Sequence, residues 1–482
     1  MSRQLRSVFG ADAASRRAAI SAGAVLIVVL AVESVGLKSG SLGLVLVGAV
    51  AAIALAVILL RADLERAGLY AALACAFTLT WNGWFIGPIR PGDVLILFTL
   101  VLVLAANPND AFRIPPWWIK QLAVVIILIA VITIYFPPDP IYLANRIVLT
   151  ATGKPTVSTK GAISAANLGV AFKFVVAVFA TPVAFTGIAI RDRRSVRWLA
   201  VAFATGAGLS GLVATSDHLG TNLGRYLTGL PNIGNRQIGF AYQPNFLAAG
   251  LCLATPLAFW MIVTGSRRER LFGSAALIGC LGGVYASGSR GGAVSILLVL
   301  GLSMVVHKRT RVHAPYVALA GVLVGMVVAT LLPDVWMKIL RATRLIGGVV
   351  TAGSDSVRSI VGAQGVRDFY HSPLHGIGLQ VSFDASQVYL QELASGGLLL
   401  FFAMQIYMLG AIITALRRMN ADPLAGALLA SLLITLVLNV FEADLTDRFY
   451  YVPAAILVAL MHTARTGSQD DAADEAELVS TA

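Results

Sequence analysis

The chain is a succession of apolar runs, each near the roughly 20 residues that a helix needs to cross a bilayer, set apart by short polar connections. About fourteen such runs can be read, by that length criterion, centred near residues 27, 50, 76, 99, 126, 178, 205, 254, 278, 299, 323, 406, 432 and 456. Lipid offers no partner for exposed backbone N–H and C=O groups, so repeated apolar runs of this length must close their hydrogen bonds within helices. The expected fold is therefore all-α, a polytopic transmembrane bundle of about 14 spans, with a large outward loop between spans 11 and 12.

A soluble globule is excluded, because 57% of the 482 residues are hydrophobic and only 12% are charged. Cys75, Cys252 and Cys280 all lie in apolar runs, which argues against a disulfide framework or a zinc site. The net charge of +12 suggests nucleic acid at first sight, but the basic residues are scattered in short clusters between apolar segments and form no basic face. Arg3, Arg6, Arg16 and Arg17 precede the first run as in a signal peptide, yet no small-residue cleavage site follows, so it is read as the first span.

The basic clusters report topology, since short cytoplasmic loops carry the excess of Lys and Arg. "RADLER" (61–66), "RDRRSVR" (191–197), "SRRER" (266–270), "HKRTRVH" (307–313) and "RRMNADP" (417–423) fall on alternate connections, on the same side as both termini. That side is read as the cytoplasm. The outward connections are then 81–93, 137–165, 215–242, "SGSRGG" (287–292), about 333–395, and "FEADLTDR" (441–448). After residue 465 the chain turns acidic, which reads as a disordered cytoplasmic tail over 466–482.

Only the outward stretch 333–395 is long enough to form a structure of its own. It carries Trp336, Lys338, Arg341, Arg344, Asp355, Arg358, Arg367, Asp368, His371, His375 and Asp384, either a solvated surface or a working site.

Four stretches in order resemble the O-antigen ligase and polymerase superfamily of membrane glycosyltransferases: "RQIGFAYQPNFLAAGL" (236–251), "SGSRGGAVSILL" (287–298), "RSIVGAQGVRDFYHSPLHGIG" (358–378) and "SQVYLQELASGGLLLFF" (386–402). Residues 287–298 resemble a Ser-Arg-Gly turn that opens a span. Residues 358–378 resemble an arginine followed by a Pro-x-x-Gly-x-Gly turn, and residues 386–402 are similar to the segment that re-enters the membrane after the large external loop. The resemblance divides the chain into amino-terminal helices (1–235), a ligase-like core (236–402) and carboxy-terminal helices (403–465) before the tail. It implies a polyprenyl-diphosphate-linked glycan as donor, a glycan, lipid or protein hydroxyl as acceptor, no cofactor, no metal ion and no nucleic acid. The implied location is the outer face of a bacterial inner membrane.

The residues fit that chemistry. A guanidinium grips phosphate oxygens bidentately and stays charged at any biological pH, and cations placed around the leaving diphosphate lower the barrier without a metal. Arg236, Arg290 and Arg358 all fall on the outward side, where the positive-inside trend gives no reason for them. Snorkelling to headgroups, or pairing with an acid, would explain each arginine equally well in isolation. Gly288, Gly291 and Gly292 allow close approach of a ligand or of a helix. Lys173, inside the span near 178, either snorkels outward or adds a fourth cation to the site. Glu33 and Asp93 sit near span ends and read as interface anchors, while Glu442, Asp444, Asp447 and Arg448 either form a solvated cap or pair with arginines and acceptor hydroxyls.

Inverting transfer also needs a base for the acceptor hydroxyl. Where the family reads His-Asn before "YLQ", this chain has Ser386 and Gln387, neither of which is a base at neutral pH. The replacements within the loop are His371, His375 and Asp384, with Glu392 one turn beyond Gln387 and His218 farther off. The rival function is a solute transporter or a non-catalytic, flippase-like protein that binds lipid-linked glycan; transporters place ionisable groups at broken helices near the midplane, often in repeated halves. The sequence shows no clear internal repeat and its candidate charges gather at one face, which favours the transferase.

Overall fold

The computed structural model describes residues 64–83, 90–106, 115–149, 155–157, 164–190, 193–232, 235–334, 336–337, 349–381, 387–441 and 445–463. The expected spans near 27 and 50, Glu33, Lys338, Arg341, Arg344, Asp384, Ser386, Glu442, Asp444 and the 466–482 tail lie outside them.

The apolar runs form helices α1 (Leu64–Thr78), α2 (Pro91–Ala106), α3 (Trp117–Tyr135), α4 (Ser164–Val175, continued to Ala189), α5 (Arg193–His218), α6 (Pro244–Thr264), α7 (Arg267–Ser287), α8 (Arg290–Val306), α9 (Ala314–Leu331), α10 (Val349–His371), α11 (Val388–Arg418), α12 (Pro423–Phe441) and α13 (452–463). Among the described residues, eight helices are long and apolar enough to cross a membrane, and three shorter ones, Ala67–Thr78, Gly92–Leu104 and Arg290–Val306, are apolar as well. The molecule is a polytopic helical bundle. Its one departure from all-helical structure among the described residues is a two-stranded antiparallel ribbon, β1 (Ile147–Leu149) with β2 (Pro155–Val157), in the connection between α3 and α4.

Local sequence explains the irregular places. In α4 a π turn over Val176–Ala180 precedes Pro182, whose ring cannot donate and would crowd the carbonyl of Val178. The wide turn reroutes the ladder, and Thr181 Oγ1 donates to the Val176 carbonyl at 3.1 Å. Helix α6 is the axle of the bundle, packed against α5, α7, α8 and α12. Helices α5 and α7 approach through glycines: a Cβ on Gly208 would lie 2.8 Å from that of Ala276, and one on Gly283 would lie 2.6 Å from the Gly211 Cα. Cys75, Cys252 and Cys280 are free and buried in this apolar interior.

The connections sort to two ends. At the basic end, Arg197 grips Glu269 through Nε at 2.5 Å and Nη2 at 2.8 Å, and Lys308 Nζ donates to the Asn420 carbonyl at 3.2 Å. At the other, the loop end, Gly83 N donates to the Phe240 carbonyl at 2.9 Å, and residues of 136–149 bind α10. The stretch read as loop up to residue 395 is helical from Val388 onward, because "VYLQELASG" packs its apolar side into the bundle.

Candidate functional site

The α7–α8 junction builds the first part of the loop end. Gly288 ends α7 in the left-handed conformation (φ 56°), and Ser289 caps α8 by accepting from Gly292 N at 3.2 Å. Arg290, the first residue of α8, therefore emerges directly from the bundle. A Cβ on Gly292 would lie 2.6 Å from that of Ala248, so this glycine serves the contact of α8 with α6.

Arg236 meets the same junction. Its Nε donates to the Ser287 carbonyl at 2.8 Å and its Nη2 to Asn245 Oδ1, on the first turn of α6 after Pro244. The arginine and the Pro-Asn of the first motif are thus the two ends of one closed loop. Both of these partners are neutral.

Helix α10 brings the third arginine. Asp355 pairs with Arg290, its Oδ2 lying 3.4 Å from Nη1 and its Oδ1 meeting Nη2. The side chains of Arg290 and Asp355 are 35% and 46% exposed, so this pair is open to water and weak. Arg358, half-buried, lies three residues further along the same helix.

The histidines are elsewhere. His371 ends α10 thirteen residues after Arg358, about 20 Å along the axis at the usual helical rise. Its exposed ring stacks on Tyr142 with centroids 3.8 Å apart and planes 2° from parallel. Tyr142 belongs to a buried network that sequence reasoning missed. Asp368 Oδ1 accepts from Arg146 Nε (2.9 Å), Tyr142 OH (2.7 Å) and Gln364 Nε2 (2.8 Å), while its Oδ2 accepts from Arg146 Nη2 (2.6 Å). Burial and the bond to Asp368 push the Tyr142 phenol above its ordinary range, so it remains a donor.

His375 sits on a turn that repairs a broken helix. Helix α11 is interrupted at Gly397 (φ 61°, ψ −158°). The amides of Leu398 and Leu399 donate to the carbonyls of Pro373 (2.8 Å) and Leu374 (3.1 Å), while the amides of Ile377 and Gly378 donate to the carbonyls of Ala394 and Ser395, each at 3.0 Å. The Pro-x-x-Gly-x-Gly turn thus supplies caps to both halves of α11. Ser372 Oγ lies 3.4 Å from each ring nitrogen of His375.

A separate charged cluster joins the connection between α1 and α2 to that between α12 and α13. Asp447 accepts from Arg90 and from Asn82 Nδ2 (2.7 Å), Arg448 pairs with Asp93, and Asn82 Oδ1 accepts from Tyr242 N at 2.9 Å. Asp447 and Arg448 are buried, not a solvated cap. Lys173 is exposed and acts electrostatically on Asp93, so it stands with this cluster. Glu392 is wholly buried, and Gln405 Nε2 donates to its Oε2 at 3.1 Å.

Arg236 and Arg290 thus meet at one junction, Arg358 lies on the helix whose Asp355 pairs with Arg290, His371 and His375 lie at the far end of α10, and Lys173 stands with a separate cluster. Arg146, Arg90 and Asn82 carried no local signal, because their carboxylate partners Asp368 and Asp447 lie 222 to 365 residues away in the chain.

Residues 275–404 match the family model described as O-antigen ligase. That stretch is similar to the O-antigen ligase family. It spans about a quarter of the 482 residues and supports a place for the chain in the O-antigen ligase superfamily, whose ligase-like glycosyltransferases use lipid-linked glycans and acceptors. No curated protein matches the chain. The matched stretch contains Arg290, Asp355, Arg358, His371, His375 and the break at Gly397. Arg236 reaches it from outside through Ser287, and Arg146 does so through Asp368.

Proposed function

We propose that the protein transfers a polyprenyl-diphosphate-linked glycan to a hydroxyl acceptor at the loop end of the bundle, with inversion at the anomeric carbon and without a metal ion. In this reading the loop end faces outward from a bacterial inner membrane and both termini are cytoplasmic. The observation that supports the proposal is the meeting of Arg236 and Arg290, from separate parts of the sequence, at one helix junction, with Arg358 about one turn along α10 from the Asp355 that pairs with Arg290. A diphosphate presents adjacent anionic oxygens, and guanidinium groups fixed by a carbonyl, an asparagine and a helix start need little rearrangement to hold them. Arg236 and Arg290 take the diphosphate, Arg358 closes on it from α10, and Lys173 serves the lipid phosphate region from the neighbouring cluster. His371, His375 and Asp384 are the sequence candidates for the base.

The test is transfer in nanodiscs from a labelled glycan-lipid fraction of the source organism's membranes, read as label leaving the polyprenyl carrier. Arg290→Ala and Arg236→Ala are each expected to lower turnover about 100- to 1000-fold, as loss of one preorganised charge-stabilising donor does. Arg290→Lys should recover only part, since an ammonium lacks the bidentate fork. Wild-type turnover in both alanine variants would sink the assignment.

One observation bears on the rival reading. Broken membrane helices in transporters leave main-chain groups for a solute, whereas the ends at Gly397 are taken up by the Pro373–Gly378 turn. The break is thereby filled, which favours transfer over transport.

A further inference from the structure

We propose that the outward face of the last turns of α10, formed by Arg367, Tyr370 and His371, binds sugar rings of the donor glycan at a distance from its diphosphate. The inference rests on the glycan-transfer reading above and deepens it with a site for the carbohydrate itself. Arg367 lies three residues before Tyr370 and four before His371, so the three share one side of the helix. All three are exposed, Tyr370 by 74%.

The histidine ring is presented flat and held in place. Tyr142 covers one of its faces, at 3.8 Å between centroids and 2° from parallel, which leaves the other face to solvent. Asp368, three residues before His371, accepts from Tyr142 OH at 2.7 Å, so α10 itself holds both members of the stack. The buried pair with Arg146 fixes that carboxylate in turn. A buried ion pair adds little stability over an apolar replacement, whereas a ring whose position is set in advance loses little freedom when a ligand packs on it.

These groups suit a sugar. A pyranose has an apolar C–H face rimmed by hydroxyls; aromatic rings take the face, and a guanidinium with its fork of N–H donors takes the rim. Among the described residues, none hydrogen-bonds or pairs with the Arg367 guanidinium. The lipid-facing side of α3, where Ile127, Val131 and Ile134 are exposed, ends on Tyr135 and Phe136, aromatics of the kind found at a membrane–water boundary. Exposed Asp139 then caps the short helix Pro140–Ala144 that carries Tyr142, so the stack comes after that boundary along the chain. His371 lies about 20 Å beyond Arg358 at the usual helical rise. A donor whose diphosphate sits at Arg290 reaches it only through sugar units remote from the reacting one.

The experiment uses the full chain in nanodiscs, as wild type, Arg367→Ala, Tyr370→Ala, His371→Ala and His371→Phe. Three probes are applied: the labelled glycan-lipid fraction for turnover, the glycan released from that fraction by mild acid, and undecaprenyl diphosphate. Each alanine variant should bind released glycan about tenfold more weakly, the scale of one ordinary aromatic or arginine contact. Its KM for glycan-lipid should rise to a similar extent, while undecaprenyl diphosphate binds as to wild type. His371→Phe should keep wild-type affinity for the glycan, because the ring face remains, and turnover at saturating donor should stay within a few-fold of wild type in all four. Released glycan bound equally by wild type and the three alanine variants overturns the inference, as does released glycan that fails to bind wild type while undecaprenyl diphosphate binds. So does Tyr370→Trp whose added emission is quenched by brominated phospholipid, since the face would then be a membrane contact. Loss of turnover at saturating donor in both His371→Phe and His371→Ala would overturn it too, by making His371 the base. Wild type that neither binds undecaprenyl diphosphate nor releases label refutes the glycan-transfer reading itself, a result separable from the others because released glycan is read by binding alone.

Discussion

Gly397→Ala is expected to leave no folded protein after detergent extraction, whereas Gly301→Ala leaves the melting temperature unchanged or slightly raised. Gly397 holds φ 61° and ψ −158°, a region essentially confined to glycine, and alanine there costs roughly 1–3 kcal/mol in backbone strain alone. Its Cβ would also lie 2.6 Å from His375 N, against main chain that cannot step aside without giving up the caps from Pro373 and Leu374. Two helix ends inside the bundle would then have unpaired amides and carbonyls, each costing about 1–3 kcal/mol. Gly301 lies within α8 with nothing within 4 Å of its would-be Cβ, so the control tests whether the effect belongs to the break and not to glycine in general. Fluorescence-detected size exclusion with a thermal ramp reads both. A monodisperse Gly397→Ala protein melting near wild type would show that the turn does not hold the halves of α11 together.

Arg146→Ala is expected to have the other large effect. Removing one member of a buried pair strands the other charge and costs about 3–5 kcal/mol, and Arg146 and Asp368 are only 3% and 2% exposed. The variant should unfold at markedly lower temperature, or lose the clasp between the 136–149 connection and α10, seen as new protease cutting near the ribbon. Tyr142→Phe removes one of four donors to the same carboxylate and is expected to cost less, about 1.5–3 kcal/mol. Asp368→Asn combined with Arg146→Met should recover part of the loss by removing both charges. Equal stability of Arg146→Ala and wild type would mean that water reaches the pair.

Transfer from water to lipid is a large, local term, so twelve of the fourteen expected span centres, from 76 to 456, can be found within described helices. Alternation of the basic clusters was legible for the same reason: "SRRER" and "HKRTRVH" need no distant partner to declare their side. The candidate site was legible only in pieces. The Pro-x-x-Gly-x-Gly turn and the re-entering segment were each visible, but not that one caps the break in the other, because main-chain bonding between them leaves no side-chain signature. Composition of the 333–395 stretch suggested that its histidines and arginines work together. Helical rise along α10 separates them, and that distance depends on an uninterrupted helix that the weak amphipathic pattern of "VVTAGSDSVRSIVGAQGVRDFYH" did not announce. Arg146 was invisible, since nothing around "LANRIV" points to a carboxylate 222 residues later.

The clasp between Arg90 and Asp447 has a consequence for how the chain is made. The two lie 357 residues apart, an interval that takes roughly 20 to 70 s to synthesise at ordinary ribosome speeds. Throughout that time the newborn amino-terminal part exists without Asp447, and Arg146 waits similarly for Asp368. A chain that stops before Asp447 never joins these two connections. The clasp is thus a bond that only a chain made as far as Asp447 can form.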